Sequence, residues 1–234
     1  MPTALQVQAQ REAKEDLLLV VRAELEDLWG TLDLSDARGV SKILQQVLPD
    51  LVTEYGDIAA ALAADYYDEL MSDYLVRTPS AVLAKAAPAG QTQAVARWGV
   101  GPLFGANPDT VAALAMLADA TERLVLQPSR DTIAQNAKRD SIGYARIPSG
   151  KEPCAFCWML ASRGPVYGTA RAAKFGDDGE KYHTKCYCEP TPMRGPQDYP
   201  QGYDPDALAK SFEDVYDGDL ASSLSEFRKA LSVR

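Results

Sequence analysis

The chain has 234 residues, 46% of them apolar and 24% charged, with a formal net charge of −9. That length suffices for one or two domains with a core of their own, and the composition is that of an ordinary globular protein. No run approaches the ~18 apolar residues that cross a bilayer, and the acidic balance speaks against a general nucleic-acid binder.

The opening, MPTALQVQAQREAKED, has neither a basic n-region nor an apolar h-region. It predicts no signal peptide and synthesis in the cytoplasm. Residues 6–29 carry Leu17, Leu18, Val20, Val21, Leu25 and Leu28 at helical spacing, with Gly30 as the stop. Ser35 or Asp36 can cap a second helix, whose face is Val40, Ile43, Leu44, Val47 and Leu48. Pro49 is expected to kink or restart it. Residues 51–76 continue with Leu51, Tyr55, Ile58, Leu62, Tyr66, Leu70 and Tyr74 on one face. Shorter helices are expected over 79–86, 91–100, 110–126 and 129–142, each bounded by Pro or Gly.

The texture changes near Ser141-Ile142-Gly143. Gly, Pro, Tyr and Cys dominate to about residue 195, and segments such as GYARIP and YHTKCYCEPTP predict small strands around one short helix. GPQDYPQGYDPD, residues 195–206, reads as a linker, and the acidic tail to Leu231 as helical. The expected architecture is mainly α with a small α+β module. It comprises an extended multi-helix region over 1–140, a module with short strands around Cys154–Cys188 over 141–195, and a linker with a helical tail over 196–234.

The module holds every cysteine and the single histidine of the chain. Cys154-x-x-Cys157 is a good half-site for zinc, which takes four ligands in a tetrahedron from thiolates and neutral imidazole. His183-x-x-Cys186 repeats the gap 25 residues on. These four are the expected ligands of a structural zinc, with Cys188 as an alternative. Packed free thiols and disulfides are the other readings, the latter disfavoured in a reducing compartment. A redox pair wants the motif at a helix N-terminus after a strand in a βαβ pattern, and the flanks do not read that way. A ligated His183 leaves no imidazole for a catalytic base. Glu180 and Glu189 are the carboxylates near enough in sequence to assist an open zinc.

Charge is uneven. Residues 1–75 hold 15 acids and 5 bases, net −10. Residues 128–174 hold 3 acids and 8 bases, namely Arg130, Lys138, Arg139, Arg146, Lys151, Arg163, Arg171 and Lys174. This basic stretch is the candidate contact for DNA or an acidic partner; the plainer alternative is a solvated surface.

PCAFCWMLASRGPVY…YHTKCYCEPTP resembles the C-terminal motif of the Mu F-like minor capsid proteins of tailed phages, in a form most similar to those of actinobacterial phages. Cys154, Cys157, Gly164, Val166, Tyr167, His183, Cys186, Cys188 and Pro190 fall on that pattern. Thr184 and Tyr187 depart from it, standing where many relatives have Pro and Arg. The likeness covers residues 140–195. It implies a structural, non-enzymatic minor capsid protein acting in head morphogenesis, made in the host cytoplasm and located in the virion, inside the phage head. The implied partners are the portal protein and the major capsid or scaffolding protein, together with packaged DNA, and neither a membrane nor a small-molecule substrate. A metal-dependent hydrolase or nuclease acting during packaging is the alternative, and a nucleic-acid-binding regulatory module a third reading.

Overall fold

The computed structural model describes residues 2–74, 77, 79–149, 153–167 and 188–233. In chain order its elements are α1 (Ala4–Gly30), α2 (Ala37–Asp73), α3 (Ala89–Gly99), α4 (Thr110–Val125), α5 (Gln127–Arg139), β1 (Gly143–Pro148), α6 (Ala155–Ala161), β2 (Cys188–Met193), α7 (Pro205–Glu213) and α8 (Leu220–Leu231). The protein is thus mainly helical, with one two-stranded sheet among the described residues. None of the described helices is long and apolar enough to cross a membrane.

The chain divides into two compact units. The first, Ala13–Leu62 with Leu83–Asp131, is entirely helical. Its core runs from Leu17, Val21 and Leu25 of α1 through Leu44, Leu48 and Val52 of α2 to Leu117 and Leu124 of α4. Asp36 accepts from the backbone N–H of Gly39 at 3.0 Å and Asp109 from that of Ala112 at 2.8 Å, so each caps a helix whose first amides lack partners. Gly99 lets α3 approach α4 closely; a Cβ there would lie 3.1 Å from Leu117. Arg22 of α1 pairs with Glu122 of α4.

Two helix expectations are corrected: a restart at Pro49 and a helix over 79–86. Pro49 does not break the second helix, and α2 runs through it for 37 residues. The apolar stripe explains this. Leu44, Leu48 and Val52 are fully buried. Each is worth about 1.5–3 kcal/mol of burial against the ~3 kcal/mol cost of one internal proline. Residues 79–86 form no helix. Their backbone is taken by side chains instead. Asn136 accepts from the N–H of Val82 at 2.9 Å and donates to its carbonyl at 2.8 Å. Asp68 accepts from the N–H of Ala81, and Arg139 donates to the carbonyls of Pro79 and Ser80.

The second unit, Met1–Glu12, Ala63–Val82 and Thr132–Arg234, contains the sheet. β1 and β2 pair antiparallel, with Tyr144 opposite Pro192, Arg146 opposite Pro190 and Pro148 opposite Cys188. Prolines lack the N–H that a ladder needs, so all three fall where the strand backbone faces away from its partner. The outward groups find other partners. The Pro192 carbonyl accepts from the Tyr74 hydroxyl at 2.7 Å, and Tyr144 exchanges both backbone bonds with Tyr167, at 3.1 and 3.3 Å. The pleat then sorts the side chains. Ala145, Ile147 and Met193 share one face and pack with Val7 of α1 and Tyr203, while Tyr144 packs with Tyr66, Tyr67, Ile133 and Tyr167.

Candidate metal centre

Cys154 occupies the N-cap position of α6 with extended backbone (φ −78°, ψ 163°), and Cys157 lies one turn in. That spacing turns both thiols to the same side. Their Sγ atoms are 3.5 Å apart, too far for a disulfide and close to what two thiolates on one ion require. Cys188 opens β2 and packs in the same small cluster; Cys157 is fully buried, Cys188 is buried and Cys154 half-buried.

The motif therefore does sit at a helix N-terminus after a strand, contrary to the reading of its flanks. The sheet it follows is an antiparallel pair, not a βαβ crossover. His183 and Cys186 lie outside the described residues, as does Glu180. Among the described residues no three His, Cys, Asp or Glu side chains converge closely enough to hold an ion. The described part is a pair of converging thiols with a third cysteine beside it. Its donor set, soft thiols with one imidazole in reach along the chain, fits zinc.

Glu189 follows Cys188, so its side chain leaves the opposite face of the strand. It is opposite Ile147, 2% exposed, with Oε1 3.7 Å from Nη1 of the buried Arg11. It is thus part of a buried ion pair and does not stand beside the thiols as a free base.

The helix bearing the cysteines is held from behind. Ala155, Met159 and Leu160 of α6 pack against Phe227 of α8, with Phe212, Val215, Leu224 and Leu231 around them. Phe227 is fully buried and meets Phe212 edge-on at 5.2 Å. Asp204 and Asp219 cap α7 and α8 by accepting from Ala207 and Ser222. Ahead of α6, Tyr167 donates to the Leu160 carbonyl at 2.9 Å and Tyr203 to that of Ala161 at 2.7 Å. Burial pushes the Tyr167 hydroxyl up to about 12, so it stays a donor through the physiological range. The sequence hinted at this support only through the apolar stripe of the tail.

The structure scatters the basic residues. Arg146 is fully buried on β1 and Arg130 is 8% exposed, so neither offers its charge at a surface. Lys138 is exposed, Arg139 is paired with Asp140 at 2.7 Å, and Arg163 is half-buried. Lys151, Arg171 and Lys174 lie outside the described residues.

The profile of the VG15 protein family matches residues 1–215. Two relatives are gene 15 proteins of mycobacteriophages. That of Mycobacterium phage L5 is 27% identical over a 203-residue alignment covering 68% of this chain and 67% of the relative. That of Mycobacterium phage D29 is 42% identical over 64 residues, which cover 25% of this chain and 23% of the relative. No solved structure matches.

Proposed function

The chain belongs to the VG15 protein family, whose relatives named above are phage-encoded, and from that premise we propose that it is a non-enzymatic minor capsid protein. It acts inside the head of a tailed phage, beside the portal, in head assembly and genome packaging or delivery. The observation that carries this reading is the pairing of phage family membership with a cysteine motif of Mu F-like form, 154–157 and 183–188. Glu189 supports the absence of catalysis, because its carboxylate is buried in an ion pair on the face away from Cys188.

A structural zinc belongs to this reading. Cys154 and Cys157 would hold it together with two of His183, Cys186 and Cys188. The packing of Cys188 against Cys157 favours counting Cys188 among them. Bound there, the metal would clamp the start of α6 to the start of β2. A module this small gains much of its folding free energy from such a clamp. Lys138 and Arg139 remain as described candidates for contact with packaged DNA, and the acidic helical region for contact with the portal or with the capsid or scaffolding protein.

Two experiments test the proposal. Mass spectrometry of purified virions, and co-purification with the portal ring, are expected to find the protein in the head; its absence from both refutes the assignment. Elemental analysis is expected to give one zinc per chain, lost in Cys154→Ser. Zinc retained in Cys186→Ser and lost in Cys188→Ser identifies Cys188 as the ligand.

A further inference from the structure

Arg146 lies in the middle of β1 with its side chain fully buried. A guanidinium keeps its charge inside a protein, and a buried charge is costly unless opposite charge stands near it. Arg146 is opposite Pro190, and Pro148, two residues on, is opposite Cys188. Residues two apart on a strand share a face, and so do residues directly opposite, so Arg146 and Cys188 project from one side of the sheet. They are diagonal neighbours, a relation of about 7–8 Å that a long side chain spans. Glu189 leaves the other side of the sheet and is engaged with Arg11.

Tyr167 locates the pair more closely. Its ring stacks on that of Tyr144 at 5.5 Å between centroids, and its hydroxyl donates to the Leu160 carbonyl of α6. Burial dominates that hydroxyl; Arg163 and Arg146 then draw it down, and Cys188 pushes it up. Arg146 and Cys188 therefore both act on one oxygen beside the cysteine helix. Arg163 is less suited to serve the thiols. It is half-buried and follows the C-terminal end of α6, whereas Cys154 and Cys157 are at its N-terminal end.

Cys188 in turn packs with Cys157 and Cys154. A zinc ion brings two positive charges, and each thiolate ligand one negative. Three thiolates and a neutral fourth ligand leave one negative charge in excess, and one guanidinium cancels it. We propose, building on the zinc reading above, that Arg146 is a positioning residue of the metal centre, its guanidinium supplying the counter-charge for Cys154, Cys157 and Cys188 as thiolates.

The test titrates the full chain with zinc against a chromophoric chelator, and separately with cobalt(II). Arg146→Met is expected to weaken zinc binding about 10- to 100-fold, the range for groups that stand behind metal ligands. Arg146→Lys, which keeps the charge, is expected to restore most of it. A thiolate that loses a neighbouring positive charge gives up its electron more readily. The sulfur-to-cobalt charge-transfer band is therefore expected at longer wavelength in Arg146→Met and at the wild-type position in Arg146→Lys, a shift that a purely structural arginine would not cause. Arg146→Gln takes the place of the Met variant if that chain does not fold. If neither neutral chain folds, Arg146→Lys decides, and a folded Lys chain that binds zinc about tenfold more weakly overturns the counter-charge. Zinc held by a neutral variant as tightly as by the wild type, or an unshifted band, overturns this inference and leaves the zinc reading standing. A wild-type chain that binds no zinc overturns both.

Discussion

Asn136 holds a stretch of chain that has no helix or strand to hold it. Its amide makes two bonds to Val82 and one to the Thr132 carbonyl at 2.7 Å, and the residue is 1% exposed. Asn136→Ala leaves the Val82 N–H and carbonyl without these partners and is expected to cost about 2–3 kcal/mol. Urea unfolding followed by circular dichroism measures it. Asp198 gives a second prediction. Burial raises its carboxyl, but hydrogen bonds from the Arg194 side chain and backbone outweigh that and leave it below the usual aspartate value. A group depressed in the folded state stabilises fully above its unfolded value of about 4 and loses that contribution as pH falls through the lower folded value. Asp198→Asn is therefore expected to be less stable near neutrality, with the gap closing in acid. Urea midpoints across that range check the sign.

Helices report their support more clearly than single residues do. Phe227→Ala removes the ring that α8 places against α6, and is expected to cost about 3–5 kcal/mol. If the hairpin of α7 and α8 fixes the cysteine helix, the same variant will release zinc to a chelator faster than the wild-type chain. Stripes of apolar residues made most of the helices legible in the sequence, since burial and period coincide along them. GYARIP is β1, residue for residue. The misses share a cause. Pro49 and residues 79–86 were read from local propensity, whereas long-range partners decide both: a continuous buried face for α2, and Asn136, Asp68 and Arg139 for the segment after it. The convergence of the Cys154 and Cys157 thiols was legible from spacing alone. The position of Cys188 was not, because it depends on which face of β2 meets α6.

On the scale of the whole molecule, the two units respond differently to the proposed metal. Chelation is expected to raise amide hydrogen exchange in β1, α6 and β2 and to leave the buried amides of α4 protected. Exchange followed by mass spectrometry on peptides from 110–125 and 188–193 reads both. Uniform loss of protection would show that zinc supports the entire chain, not the sheet-bearing unit alone.

Val7 has one further consequence, and it concerns time. This residue, synthesised before every segment of the helical unit, is buried against Ala145, Ile147, Met193 and Tyr203. All segments of the helical unit have been synthesised by Asp131, whereas the start of α1 must wait for more than sixty further residues. The N-terminal turns are therefore a late-closing seam. During synthesis they stay open to whatever the cell offers, and a nascent chain stalled before β2 should show them cut by protease while residues 13–62 and 83–131 resist.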